Sequence, residues 1–430
     1  MHRRRKTARR RHQRGTRKHE NRRRHLFKMN IGILGAWHLG AVVAAGLCEH
    51  HDVSVHDPTV ESLKEGVPAV DEPGVEEKLK ANLDKSLHVT NAEEAIKEKD
   101  FVIIAHDSPV NEDDSVDISP ILESASQIKQ HGQNLIVVCM SQVPIGTCAK
   151  IEQDLGMPVA YVPENLRLGE AMECFLNPDV VVIGAKEENT AKRVSEELYA
   201  PVQGERAIMG VESAEMWKHS MNSYLASMIT LANNLADVAQ AYGANITDVI
   251  EGLKKDRRVS EKAPLGPGLG FGGGTLGRDV SVLIDLAKGK NIGAPMFKTI
   301  LDYNHARPNF VLEKCKNANK IAILGLAYKP GTNTLRRSIG VWLANKLPNV
   351  VAFDPAIPKA EGVATANNAE EACKGADAIL IVTAWPEFKN INWNSLEVNK
   401  KYVLDCRNMM DKQDQEKIKQ AGFVYEGVGV

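Results

Sequence analysis

A glycine turn between two short apolar runs constrains the fold of this chain more than any other feature. Residues 30–57 read as a strand, a turn containing Gly35 and Gly40, an apolar helix, and a second strand that ends at Asp57. Parallel strands cannot be joined by a tight hairpin and need a crossover, which is usually a helix. The segment therefore predicts a βαβ unit within a parallel sheet.

Apolar runs of strand length recur along the chain in two groups. They lie at residues 101–105, 135–138 and 180–183, and again at 321–326, 350–354, 378–383 and 402–405. Continuous apolar runs are typical of parallel strands that are buried on both faces. We predict an α/β fold with two Rossmann-like doubly wound domains joined by a long central helix.

The central helix is predicted over about residues 213–241. Its apolar residues are spaced four, three, four and three apart and form one stripe, namely Met221, Leu225, Met228, Ala232 and Leu235. Three polar residues, Lys218, Asn222 and Asn233, lie on a neighbouring strip. On spacing alone we interpret that strip as a solvated edge of the helix.

Residues 1–28 differ in composition from the rest of the chain. They carry fourteen Lys or Arg residues against the single acid Glu20. Such a run could neutralise the phosphates of a nucleic acid, but it has no aromatic interleaving and ends directly before the first strand. We predict a disordered extension, or an upstream start codon outside the fold, and do not favour nucleic-acid binding.

Composition narrows the class of protein further. No run approaches the ~20 apolar residues that a membrane span needs, and the basic N-terminus lacks the apolar region of a signal peptide. The seven cysteines are odd in number and never spaced as CxxC, which favours reduced thiols and argues against a disulfide framework or a zinc site. We therefore expect a cytoplasmic protein without a membrane partner or a metal.

The first βα turn has the pattern of a dinucleotide site. Glycines at such a turn let the backbone approach a pyrophosphate, the helix N-terminus favours its charge, and an acid after the second strand binds the ribose. Gly35, Gly40 and Asp57 supply these features, and the Asp57 carboxylate favours NAD over NADP. Trp37 stands where a middle glycine is usual, so a degenerate cofactor pocket is the alternative.

Further segments give the chain a specific resemblance. They lie at residues 72–74, 117–119, 143–147, 163–167, 256–259, 268–279, 324–330, 382–388 and 405–408. In their order and spacing they resemble the UDP-glucose/GDP-mannose dehydrogenase family over residues 29–430. The resemblance implies an NAD-binding Rossmann domain at residues 29–205, a helical dimerisation domain at 206–305 and a nucleotide-sugar-binding Rossmann-like domain at 306–430, after the extension at 1–28.

The resemblance also implies catalytic roles. Lys218 and Asn222 occupy the positions that stabilise the oxyanion of the reacting group. Asp279 matches a carboxylate that positions or deprotonates water, and Glu164 matches a second acid near that water.

Binding roles follow in the same way. Besides the turn, the resemblance places Ser108 and Arg278 at the cofactor. It implies a nucleotide-sugar substrate, a UDP-sugar above all, bound by Arg258, Phe271, Gly272, Gly273, Lys329 and Arg407. Arg258 would reach the substrate of a neighbouring subunit, and the apolar stripe of the central helix would form a homodimer contact. The alternative is that this stripe packs between the chain's own two domains.

The sequence departs from the family where covalent chemistry is expected. The family's glycine loop carries a cysteine nucleophile, and Thr275 stands at that position here. A thiol is partly ionised at neutral pH and an unassisted hydroxyl is not, so Thr275 is a poor substitute. The residues at other positions also differ from those usual in the family, namely Met140, Gln142, Asn333, Thr334 and Arg337.

Three functional hypotheses follow. In the first, the protein is a dehydrogenase that stops after one two-electron oxidation of a nucleotide sugar, giving an aldehyde or a ketone. In the second, it carries out the full four-electron oxidation to a uronic acid by oxidising a hydrated aldehyde. In the third, it binds a nucleotide sugar without turnover, although the joint survival of Glu164, Lys218, Asn222 and Asp279 speaks against this.

Overall fold

The computed structural model describes residues 28–107 and 116–430. Apart from Lys28, the basic extension lies outside the described residues, and so does Ser108. The described chain divides into two compact units, one ending at Lys218 and the other beginning at His219.

The first unit contains an eight-stranded sheet within the described residues. Its strands are β1 (Asn30–Leu34), β2 (Asp52–His56), β3 (Leu87–Val89), β4 (Phe101–Ile104), β5 (Ile136–Cys139), β6 (Val159–Tyr161), β7 (Val180–Ala185) and β8 (Glu205–Met209). Their spatial order is β3-β2-β1-β4-β5-β6-β7-β8, and only β6 and β7 pair in antiparallel fashion. The strand order reverses between β1 and β4, which is where doubly wound sheets bind ligands.

Helices accompany this sheet. They are α1 (Leu39–Leu47), α2 (Val75–Asn82), α3 (Ala92–Ile96), α4 (Ser119–His131), α5 (Thr147–Leu155), α6 (Ala171–Leu176) and α7 (Glu188–Arg193), with a 3₁₀ turn at Glu61–Glu65 and a π-helical turn at Val194–Leu198. Successive residues of β4 belong to two different core clusters, with Phe101 and Ile103 in one and Val102 and Ile104 in the other. Both faces of the sheet are therefore buried, which explains why its strands read as continuous apolar runs.

The predicted long helix is present as α8 (Val211–Tyr242), with 32 residues. The division between the two units falls within it, after Lys218.

The second unit contains a six-stranded parallel sheet among the described residues. Its strands are β9 (Ile321–Leu324), β10 (Val350–Phe353), β11 (Ala364–Thr365), β12 (Ala378–Ile381), β13 (Tyr402–Asp405) and β14 (Val424–Gly427), in the order β11-β10-β9-β12-β13-β14. The order again reverses between the first and fourth strands, so this unit repeats the plan of the first.

Helices and short turns complete the second unit. They are α9 (Ile246–Lys254), α10 (Leu276–Gly289), α11 (Pro295–Ala306), α12 (Asn309–Cys315), α13 (Ile339–Lys346), α14 (Ala369–Cys373) and α15 (Lys412–Gln420), with 3₁₀ turns at Pro386–Asn390 and Trp393–Ser395. The predicted α/β class, with two Rossmann-like sheets and a long helix, is confirmed. The division into an N-terminal, a central helical and a C-terminal domain stays a prediction. In the described ranges, no helix is both long and apolar enough to cross a membrane.

Candidate active site

The predicted dinucleotide turn lies at the carboxyl end of β1, beside β4. Gly35 adopts φ +91°, and a Cβ atom on Gly40 would lie 1.8 Å from the Gly35 carbonyl oxygen. Both positions therefore require glycine, as a tight turn that exposes backbone amides to a ligand demands.

Asp57 follows β2 and is held beside this turn. Its Oδ2 accepts a hydrogen bond from the Ala36 amide at 2.6 Å, and its Oδ1 accepts from the Thr59 amide at 2.8 Å and hydroxyl at 2.7 Å. Burial acts to raise the pKa of Asp57, but these hydrogen bonds outweigh it and hold the pKa below its usual value. An ionised carboxylate at this place can accept from ribose hydroxyls, so the turn fits NAD.

Two further side chains near the turn bear on cofactor binding. Trp37 is 53% exposed, so its indole is not buried within the turn. Asp107, three residues after β4, accepts hydrogen bonds from the amides of His38 and Leu39 at the start of α1. Sequence reasoning missed Asp107 because the aspartate and the turn are almost seventy residues apart in sequence.

Glu164 lies in the loop that follows β6. Its half-buried carboxyl accepts a hydrogen bond from the hydroxyl of the buried Tyr199 at 3.1 Å. Loss of solvent raises the pKa of Glu164 to about 7, against the opposing effects of Tyr199 and of the Lys218 ammonium. A carboxyl with a pKa near neutrality can give and take protons at physiological pH.

The Lys218 ammonium is fixed beside this acid. It donates to the Glu164 carbonyl oxygen at 2.5 Å and to Asn165 Oδ1 at 2.8 Å. Lys218, Asn222 and Asn233 are only 8%, 6% and 1% exposed. The interpretation of this strip as a solvated edge is therefore wrong, because other parts of the chain cover each of these residues.

In the second unit, a fully buried carboxylate belongs to Asp279 of α10. Its Oδ1 lies 2.9 Å from His219 Nδ1, and its Oδ2 accepts from the Asn222 amide. Arg278 Nε is 3.9 Å from the same Oδ1. Sequence reasoning missed His219, although its spacing of three from Asn222 on one helix was a signal.

The glycine loop before α10 is anchored at two points. Gly268 donates its amide to Asn233 Oδ1 at 2.7 Å and accepts from Arg307 Nε at 2.9 Å. The Asn304 side chain holds the backbone of Phe271 through two hydrogen bonds. Its Oδ1 accepts from the Phe271 N–H at 2.8 Å, and its Nδ2 donates to the Phe271 carbonyl at 3.0 Å. These contacts define the path of a loop that is too poor in side chains to pack by itself.

Thr275 is the last residue before α10, and it is exposed. Within the described parts of the chain, its hydroxyl makes no hydrogen bond to a side chain that could act as its base. The carboxylate of Asp279, one turn further along, is directed to His219 and Asn222 instead. Among the described residues, no general base is therefore hydrogen-bonded to the Thr275 hydroxyl to activate it.

A crevice opens at the carboxyl ends of β9 and β12, where the strand order of the second sheet reverses. It is lined by Gly272, Ala327, Tyr328, Ile339, Gly340, Val382, Thr383 and Arg407. The Arg407 guanidinium is oriented by its Nε, which donates to the Val382 carbonyl at 2.8 Å. Doubly wound sheets bind their ligands at this kind of position.

The remaining predicted substrate residues differ in their surroundings. Gly273 lies against the Tyr328 ring, while the half-buried Lys329 directly follows that tyrosine. Arg258 is not among the residues that line the crevice. Its side chain is 83% exposed and paired with Asp256 at 2.8 Å.

The chain matches three models of one family in consecutive order. The models of the UDP-glucose/GDP-mannose dehydrogenase family match residues 29–203 as its NAD binding domain, 212–306 as its central domain and 322–412 as its UDP binding domain.

Individual relatives match over nearly their whole length. A UDP-glucose 6-dehydrogenase of Rickettsia conorii is 30% identical over 93% of this chain and 99% of its own. The structure of a UDP-glucose dehydrogenase from Pyrobaculum islandicum superposes with a TM-score of 0.84 at 29% identity, covering 94% of this chain and 98% of that one. A UDP-D-ManNAc dehydrogenase from Pyrococcus horikoshii has a TM-score of 0.81 at 27% identity, with coverages of 93% and 99%.

Proposed function

Because the chain belongs to the UDP-glucose/GDP-mannose dehydrogenase family, we propose that it oxidises one alcohol of a nucleotide sugar and stops after a single two-electron step. It is an NAD-dependent nucleotide-sugar dehydrogenase. The single-step proposal rests on Thr275, which we assign to the position of the family's cysteine. Its side chain is exposed and makes no hydrogen bond to a base in the described structure.

NAD supplies the hydride acceptor for this oxidation. We assign its pyrophosphate to the amides of the Gly35–Gly40 turn and its adenine ribose to Asp57. Trp37, Ser108 and Arg278 are further proposed cofactor contacts. Since the Asp57 carboxylate would repel a 2′-phosphate, NADP should bind much more weakly than NAD, which titration calorimetry with both cofactors can measure.

The alcohol must lose a proton while it is oxidised. Glu164 is suited to accept this proton, directly or through water, because its pKa of about 7 leaves much of it ionised at neutral pH. The Lys218 ammonium and the Asn222 amide would stabilise negative charge on the reacting oxygen. Asp279, oriented by His219 and Asn222, would hold water or the substrate in place.

A second oxidation of the resulting aldehyde normally requires covalent capture. A cysteine thiolate adds to the aldehyde, the resulting thiohemiacetal loses a hydride to a second NAD to give a thioester, and water hydrolyses the thioester to the acid and the free thiol. The Thr275 hydroxyl is not ionised at neutral pH and lacks a neighbouring base in the described structure, so this route is closed. The carbonyl compound is then the product.

A four-electron oxidation to a uronic acid is the second candidate. The pKa of Glu164 near 7 favours it, because such a group could activate the water that hydrates an aldehyde. Binding without turnover loses support, since the relatives above bear the names of dehydrogenases.

A UDP-sugar is the substrate class that we propose. The family model that matches residues 322–412 is that of a UDP binding domain, and the named relatives act on UDP-glucose and UDP-D-ManNAc. We assign the diphosphate and nucleotide to Lys329 and Arg407, and the sugar to the backbone at Phe271, Gly272 and Gly273.

The proposal is tested by the product formed from a panel of nucleotide sugars. A single oxidation gives a carbonyl compound that a hydrazine reagent traps, with the mass of the substrate less two hydrogen atoms. An acid that the reagent does not trap would favour the four-electron route instead.

A further inference from the structure

Asp107 makes a contact that the proposed reaction does not use. Its Oδ2 accepts hydrogen bonds from the amides of His38 at 3.0 Å and Leu39 at 3.2 Å. These amides begin α1, the nine-residue helix that follows the glycine turn.

The first amides of a helix lack partners within the helix and lie at the positive end of its dipole. They therefore attract anions, and in dinucleotide-binding folds the pyrophosphate occupies this place. In this protein a carboxylate of the chain itself already satisfies two of them. The pyrophosphate and Asp107 thus need the same donors.

Other titratable groups lie around the glycine turn. Asp57 accepts from the Ala36 amide, and the Glu72 carboxylate lies 3.0 Å from His38 Nε2. His106, next to Asp107, is directed to Ser124 Oγ at 2.7 Å, and burial lowers the pKa of this histidine and so favours its neutral form. Neither Glu72 nor His106 bonds to the turn amides in these contacts. Among the described residues, the charged side chains that accept from those amides are the carboxylates of Asp57 and Asp107.

We propose that Asp107 sets the affinity for the dinucleotide, because its carboxylate competes with the pyrophosphate for the amides of His38 and Leu39. This inference rests on the proposed use of NAD. It makes cofactor binding conditional on release of Asp107 from α1. The oxidised and reduced cofactors carry the same pyrophosphate, so the effect on both is the same.

The test is Asp107→Asn in the full chain, with the affinity for NAD measured by titration calorimetry. Asparagine keeps the shape of aspartate and can still cap the helix, so the fold should be retained, and thermal unfolding checks this. Its neutral oxygen accepts a weaker hydrogen bond than a carboxylate does, so its competition for the two amides should fall. We expect the Kd for NAD to fall about tenfold, which corresponds to about 1.4 kcal/mol. ADP-ribose, which retains the pyrophosphate, should gain by the same factor, whereas adenosine should gain nothing.

Asp100→Asn is the matched control. Asp100 directly precedes β4, and its Oδ2 accepts from the Asn30 amide at 2.8 Å, at the opposite end of the strand from Asp107. Its substitution should leave the Kd for NAD unchanged. If Asp107→Asn binds NAD no more tightly than the parent, or if adenosine gains as much as NAD, the inference is overturned while the proposed function stands. If the folded parent and the variant both fail to bind NAD, the proposed function itself is contradicted.

Discussion

At the scale of single residues, we propose that the Glu164 carboxyl is the group whose protonation decides activity. The hydroxyl of Tyr199 donates to it, and this bond stabilises the ionised form. The positively charged ammonium of Lys218 also stabilises the ionised form of this carboxyl. As a base, Glu164 works when deprotonated, so the rate should fall as the pH drops through about 7.

Tyr199→Phe should move this acidic limb of the pH–rate profile to higher pH. The variant loses the hydrogen bond that favours the carboxylate, so the pKa of Glu164 rises and a larger fraction is protonated at neutral pH. The rate near neutrality should fall while the rate at high pH stays close to that of the parent. Steady-state rates between pH 5 and 10, at about half-unit intervals, measure this.

Tyr402→Phe serves as the control for Tyr199→Phe. The Tyr402 hydroxyl donates to the Glu426 carboxylate at 2.7 Å in the second sheet, so that a half-buried tyrosine–carboxylate pair is lost there too. Its profile should match that of the parent. A uniform loss of rate at all pH values in Tyr199→Phe would show that Tyr199 only supports packing.

The sequence predicts some residues of the candidate site and not others. Gly35, Gly40 and Asp57 lie within one βαβ unit, and their spacing alone indicates their role. Tyr199 and Asp107 reach the site from other elements, and sequence spacing gives no measure of such distances. The polar strip on α8 was misjudged for the same reason, because burial depends on what packs over a helix.

At the scale of elements, the glycine loop depends on side chains outside it. The side-chain oxygen and nitrogen of Asn304 both hydrogen-bond to the backbone of Phe271. Asn304 lies on α11, so this helix holds the loop from one side. Nothing in the residue pattern of the loop reveals that anchor.

Asn304→Ala should therefore destabilise the loop and weaken substrate binding. Leaving the Phe271 N–H and carbonyl without partners costs about 1–3 kcal/mol for each buried group. We expect a lower Tm, and a higher KM for the nucleotide sugar with NAD affinity unchanged. The matched control is Asn234→Ala, since Asn234 is exposed on α8 and its side-chain amide donates to the Thr230 carbonyl of its own helix. Equal effects of the two substitutions on Tm and KM would argue against the anchoring role.

Elements with a long periodic or fully apolar pattern were predicted well. Strands with a short or mixed pattern were missed. The sequence identified α8 and the fully buried strands such as β4 and β12, where every residue is apolar. It missed the edge strands β3, β8 and β14, whose burial is partial, and β11, which has only two residues. It also missed β6, which is buried but has only three residues. Edge strands bury less apolar surface and so leave a weaker pattern.

At the scale of the whole molecule, we propose a homodimer formed through α8. In the stripe predicted for this contact, Ala232 is buried and the other four residues are half-buried. Ala232 belongs to a core cluster within the second unit, and Met228 and Leu235 pack against that cluster. A different stripe of the same helix is exposed, formed by Tyr224, Leu231, Val238 and Tyr242. Large apolar side chains in a row on one helix face are typical of an interaction surface.

Leu231→Glu should convert the dimer to a monomer, because it places a charge at the centre of this stripe. Sedimentation velocity over a range of protein concentrations measures the change. Leu122→Glu is the control, since Leu122 is a leucine of similar exposure, 48% against 45% for Leu231, and lies on another helix, α4. A parent protein that sediments as a monomer would contradict the proposed dimer.

The central claim is that the residue at position 275 limits the protein to one oxidation. The most direct test is to count NADH formed per nucleotide sugar consumed, in the parent and in Thr275→Cys. The substitution is close to isosteric at an exposed position, so folding should tolerate it. We expect one NADH for the parent. We expect two for Thr275→Cys, because a thiolate there can capture the aldehyde and open the route to the acid. Two NADH from the parent protein would contradict the proposed limit to one oxidation.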